Sequence, residues 1–228
     1  PGAYYQNVPI MGRLLAEWSD RPAGVLFLLP LWHPVLVAEQ VGTLAAIHPG
    51  RFIIQCAVGR GDQEWDAMGA NPRLRPSMFE ESLDIVRRLL AGETVSAAGR
   101  FRFTGARIAP IPAESVDVWI GGSVTASIDR AARIGDGWLG DPTYGLDEIA
   151  AQAAEFHERA QAHGRPERTV AVRRNVLVAE SDEAAARAVE PVLAGYTGDR
   201  SALLYGAPET VAAQMRALAD LGFTDVIV

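Results

Sequence analysis

The chain has 228 residues, 49% of them hydrophobic and 21% charged, enough to bury a sizeable core and too apolar for a disordered segment. Its formal net charge of -7 excludes a general nucleic-acid surface, which needs clustered Lys and Arg to displace counterions from phosphates. No apolar run approaches the ~20 residues that cross a bilayer, and no leader-like start is visible, so a cytoplasmic protein without membrane contact is expected. Cys56 lies in the apolar run RFIIQCAV and reads as a buried thiol in a reducing compartment.

Short apolar runs alternate with segments of helical period along the chain. AGVLFLLP (23–30) reads as a strand covered on both faces. A helix follows His33 and Pro34, with Leu36, Val37, Val41, Leu44 and Ala45 on one face and Pro49-Gly50 as its stop. RFIIQCAVG (51–59) is the second strand, and SMFEESLDIVRRLLAGE the next helix, with Phe79, Leu83, Val86 and Leu90 facing one side. Residues 94–112 form an excursion rich in Gly, Arg and Phe, whose alternation at 100–103 suggests a small hairpin. VDVWIGG is a strand, TASIDRAARIG a helix, GDGWL a short strand and LDEIAAQAAEFHERAQAHG a helix. TVAVRRNVLVAE then reads as one strand, DEAAARAVEPVLAG as a helix interrupted at Pro191, PETVAAQMRALADLG as the last helix and TDVIV as the last strand. Such alternation implies right-handed βαβ units, a parallel sheet and a single domain over 1–228. About six strands suit an open doubly wound sheet by count, whereas a TIM barrel needs about eight to close.

Two strand ends carry chemistry. In VWIGGSVTAS, Gly121 and Gly122 allow close backbone approach, and Ser123 and Thr125 place hydroxyls beside the open amides of a starting helix. That composition suits a phosphate, and it equally suits a plain turn with a Ser or Thr N-cap. In AVGRGDQEW, Arg60 stands between Gly59 and Gly61, and its planar guanidinium can bind a phosphate bidentately. His33 is of the usual acid–base type near neutral pH, although its place before Pro34 suggests a structural role at a helix start. His48, His157 and His163 are expected on polar faces, Glu80, Glu81 and Asp84 in solvent, and Asp136 at the top of its strand. Trp32, Trp65 and Trp138 fall near strand ends, where they line a pocket or pack the core. No HExxH, paired-Cys, GxxxxGK[ST] or GxSxG pattern occurs, so neither a metal site nor a hydrolase is expected.

The blocks LPLWHPVLVAEQVGTLAAIHPGRFIIQCAVGRGDQEWDAMG, VWIGGS, AARIGDGW and YGAPETVAAQMRALADLGFTDVIV, in this order, resemble the bacterial-luciferase-like monooxygenase family. The resemblance implies a luciferase-like TIM (β/α)8-type barrel of which about six strands, the third to the eighth, are present. The first two strands and a closing helix have no counterpart, so an incomplete barrel is expected. It further implies an oxidoreductase that acts on a small organic substrate. With reduced FMN and oxygen it would be a monooxygenase; with the deazaflavin F420 it would transfer hydride. A non-catalytic flavin-binding protein on a truncated barrel is the alternative of another class. By the same resemblance Arg60 and Gly61, with Gly121, Gly122, Ser123 and Thr125, hold the cofactor phosphate, and Leu29, Pro30 and Leu31 touch its ring, often through strained or cis geometry. Asp62 lies near an acid of some deazaflavin-dependent members, with a spacing that differs by one residue. His33 and Asp62 are therefore only candidates, and no catalytic residue is assigned. A homodimer and a flavin reductase as partner complete the expectation.

Overall fold

A computed structural model describes residues 6–59, 61 and 63–228, and it divides the chain into two compact units, Pro1–Val118 and Trp119–Val228. No helix among the described residues is long and apolar enough to cross a membrane.

The first unit contains α1 (Asn7–Leu15), β1 (Ala23–Leu28), α2 (Pro34–Ile47), β2 (Phe52–Ala57), the short α3 (Gln63–Ala67), α4 (Arg75–Leu90) and the strands β3 (Val95–Ala98) and β4 (Arg102–Ala106). β1 and β2 run parallel, in register from Ala23 opposite Phe52 to Leu28 opposite Ala57. Their β-branched and aromatic residues Val25, Phe27 and Ile54 are buried, as are Val37 and Val41 of α2 and Phe79, Leu83 and Val86 of α4. Cys56 is fully buried in β2, and burial pushes its thiol far above the ordinary value, so it is a packing residue without a nucleophilic thiolate. β3 and β4 pair antiparallel. Glu81, expected in solvent, accepts the backbone N–H groups of Arg100 (2.8 Å) and Phe101 (3.2 Å) and so anchors this hairpin to α4. His48, also expected on a polar face, is buried against Phe52 with ring centroids 6.1 Å apart, because the chain beyond α2 turns back towards β2.

β5 (Asp117–Gly121) crosses the division between the units. The second unit continues with α5 (Thr125–Ile134), β6 (Gly137–Gly140), α6 (Leu146–Ala162), β7 (Thr169–Arg173), β8 (Asn175–Val178), α7 (Asp182–Leu193), β9 (Leu203–Gly206), α8 (Pro208–Asp220) and β10 (Asp225–Ile227). β5, β6, β7 and β10 are neighbours in that order and all parallel, with Trp119 opposite Gly137 and Gly137 opposite Thr169. Trp138 stacks on Phe156 (6.0 Å) and lies beside Phe223 (6.3 Å) at the centre of the core.

The stretch TVAVRRNVLVAE is two strands instead of one. The break falls at Arg174, whose guanidinium turns inward while its N–H donates to Ile227 O (2.8 Å). β8 then pairs with β9, a strand in SALLYG that the sequence reading passed over because it is short and follows a polar loop. Pro191 does not interrupt α7, which runs on to Leu193. Parallel strands joined by helices in both units make an α/β fold of the TIM-barrel type.

Candidate cofactor site

In a barrel of this kind, ligands bind at the C-terminal ends of the strands. The end of β5 leads through Gly122, Ser123 and Val124 into α5. The N-cap of α5 is Val124, not the Ser or Thr that its composition suggested, and Val124 is largely exposed. Ser127 does the capping from inside the helix. Its N–H donates to Val124 O (2.8 Å), and its Oγ accepts the Val124 N–H (3.2 Å). A Cβ on Gly122 would collide with the Ser127 side chain, so this capping arrangement requires glycine there. The Gly122 carbonyl in turn accepts the indole N–H of the buried Trp138 (2.8 Å).

The consequence is an oriented set of donors. The amides of Ser123, Thr125 and Ala126 precede the helical ladder, and among the described residues they have no backbone acceptor. Ser123 Oγ adds a hydroxyl, and Tyr144 OH lies 3.3 Å from it. Open amides, a hydroxyl and the positive end of a ten-residue helix fit a phosphate. Sequence reading missed Tyr144, which is distant in sequence and carries no motif.

In the first unit, Leu29 and Pro30 are buried in a single 3-10 turn, Leu29–Leu31, directly after β1. The peptides of this turn are trans; among the described residues the only cis bond is Ala109-Pro110. The chain leaves β2 through Gly59, at a φ of 84° that disfavours a side chain. A Cβ there would sit 3.4 Å from both Leu28 Cδ1 and Trp65 Nε1, so the ends of β1 and β2 adjoin at this glycine. Gly61 is exposed, and its carbonyl accepts a hydrogen bond from Arg75, whose guanidinium also lies 4.7 Å from the ring centre of the buried Trp65. Arg60 and Asp62 lie outside the described residues. His33 is exposed and precedes α2 without capping it through its side chain, and its ring packs against Phe101 (5.9 Å) and Phe103 (5.6 Å) of the hairpin. Asp136 stands before β6, not at its top, where it pairs with Arg165 (3.7 Å) and Arg168 (3.6 Å). Trp65 and Trp138 are both fully buried and belong to the core.

Residues 23–203 match the family model of the luciferase-like monooxygenases. The chain belongs to that family. Its relatives include the F420-dependent hydroxymycolic acid dehydrogenase of Mycobacterium tuberculosis, 32% identical over 171 residues that make up 73% of this chain and 47% of that protein. The chain thus spans about half the length of this curated relative. Among solved structures, the monooxygenase RslO1 of Streptomyces bottropensis superposes with a TM-score of 0.81 at 20% identity, covering 99% of this chain and 78% of that one. The oxygenating constituent of 3,6-diketocamphane monooxygenase from Pseudomonas putida, in complex with FMN, gives 0.77 at 20% identity over 97% and 76%. At these identities the superpositions establish the fold, and the family match makes this luciferase-like chain part of an oxidoreductase family.

Proposed function

We propose that this luciferase-like chain binds a flavin-type cofactor through its phosphate at residues 121–125 and serves an oxidoreductase that transfers hydride between its substrate and F420. The observation that carries the phosphate site is the set of open amides at Ser123, Thr125 and Ala126 beside Ser123 Oγ, at the start of a ten-residue helix. The F420 reading is supported by the named activity of the mycobacterial relative at 32% identity. The cofactor would supply the hydride chemistry; the chain's residues would bind it, orient it and exclude water around it.

A second reading, monooxygenation with reduced FMN and oxygen, is favoured by the Arg60-Gly61 pair in the sequence and by the FMN complex of a protein of the same fold. It would add a flavin reductase as partner, and in either reading we expect a homodimer acting on a small organic substrate.

Fluorescence titration with F420, FMN and reduced FMN separates the readings. Tighter binding of F420 favours hydride transfer, and tighter binding of reduced FMN favours the monooxygenase. Ser123→Ala is expected to weaken the bound cofactor about 5- to 10-fold with an unchanged melting temperature. Wild-type protein that binds none of the three overturns the proposal.

A further inference from the structure

We propose that Tyr144 is a further ligand of the cofactor phosphate and that the buried Arg174 is the positioning residue that holds it. This rests on the phosphate reading of residues 121–125.

Tyr144 lies in the loop between β6 and α6, at the same strand ends as the 121–125 loop. Its hydroxyl and Ser123 Oγ are 3.3 Å apart, longer than a good O–H···O bond of about 2.7 Å. Each hydroxyl therefore retains donor capacity, and two adjacent donors beside open amides are suited to converge on one anion.

The loop that carries Tyr144 is fixed from beneath. Arg174 is only 1% exposed, and the negative charges of Asp141 and Asp199 offset part of the cost of burying its own. Its guanidinium donates to three backbone carbonyls, those of Tyr144 (3.2 Å), Asp141 (3.4 Å) and Arg173 (3.4 Å), and among the described residues its Nε has no hydrogen-bond partner. A buried guanidinium stays charged, and these carbonyls, with the nearby charges of Asp141 and Asp199, replace the water it has lost. Its hydrogen bonds join the end of β7 to the carbonyls on either side of the 142–143 turn. Three further bonds hold the same turn. Asp141 Oδ1 accepts the Thr143 N–H (3.0 Å), Asp199 N–H donates to Thr143 O (2.8 Å), and Tyr196 OH donates to Pro142 O (3.2 Å). A side chain on a loop pinned at both ends loses little freedom when a ligand arrives, which is how preorganisation raises affinity.

The test uses paired probes that differ in the phosphate: FMN against riboflavin, and F420 against its phosphate-free deazaflavin core. Tyr144→Phe is expected to weaken the phosphate-bearing probe about 5- to 10-fold and to leave the phosphate-free probe within about 2-fold. Arg174→Gln is expected to cause the same selective loss, and combining the two substitutions is expected to add little, because both remove one interaction. Arg174→Lys, which keeps a donor and the charge, is expected to restore part of the preference, and it serves with Tyr144→Phe should Arg174→Gln not fold. An unchanged phosphate preference in Tyr144→Phe overturns the proposal, as does equal weakening of both probes by the Arg174 variants. Wild-type protein that binds no probe overturns this inference together with the phosphate site; wild-type binding with no selective loss overturns this inference alone.

Discussion

The chain leaves both β5 and β2 through glycine at the C-terminal end of a parallel strand, yet the described residues at the two ends are held in different ways. The 121–125 loop is fixed by directional bonds: Trp138 Nε1 to Gly122 O, the reciprocal Ser127 cap on Val124, and the Ser123–Tyr144 contact. It feeds a ten-residue helix whose own amides remain open. After β2, the described residues rest on Trp65, buried in a helix of five residues beneath the Arg75 guanidinium, and Arg75 adds one hydrogen bond to Gly61 O. A loop held by hydrogen bonds presents donors at set positions, whereas one held by an aromatic anchor depends on volume and tolerates polar change poorly at that anchor alone.

If packing governs the first-unit loop, Trp65→Ala should be the most damaging change, costing about 3–5 kcal/mol in urea unfolding. Trp65→Phe should cost much less, because among the described residues Trp65 Nε1 has no hydrogen bond to lose. In the second-unit loop, Gly122→Ala forces a methyl into the Ser127 side chain and should cost about 1–3 kcal/mol, read as a lower melting temperature. Trp138→Phe keeps most of the ring and removes the bond to Gly122 O, so a loss of about 1–2 kcal/mol is expected, and a zero effect would remove the distinction between the loops.

The smallest effect concerns how α5 is tied down behind its N-terminus. Asp129 accepts from His163 (3.1 Å) and Arg159 (3.4 Å) of the neighbouring segment, and chiefly the His163 bond holds its carboxyl below the ordinary carboxylate range. A carboxylate with a lowered folded-state value stabilises the protein above its unfolded value, about 3.9, and that contribution fades as pH falls below it. Melting temperatures recorded from pH 7 to pH 3 should therefore drop less steeply at the acid end for Asp129→Asn than for the wild type.

Most of the strand and helix order was legible in the sequence because buried parallel strands are continuous apolar runs and the helices carry a clear 3.6-residue stripe. VDVWIGG, RFIIQCAVG and SMFEESLDIVRRLLAGE all fall where their patterns place them. The misreadings have a common cause, which is a polar group satisfied by partners far away in the chain. Glu81 looked solvated and caps a hairpin, His48 looked exposed and packs on Phe52, and Arg174 divides what reads as one strand. The glycines, the hydroxyls and their order relative to the strands point to the 121–125 loop as the candidate site, since local backbone chemistry depends on neighbours in sequence.

By itself, then, the sequence determined the α/β alternation, the family and the composition of a phosphate-sized turn, all of which are encoded in residues a few positions apart. Only the tertiary structure decided that Ser127 caps α5 in place of Ser123 or Thr125, that Tyr144 stands beside Ser123, and that a buried Arg174 holds the Tyr144 carbonyl. Those are choices among partners separated by tens of residues, and the packing of β6, β7 and their loops, not any local pattern, selects among them.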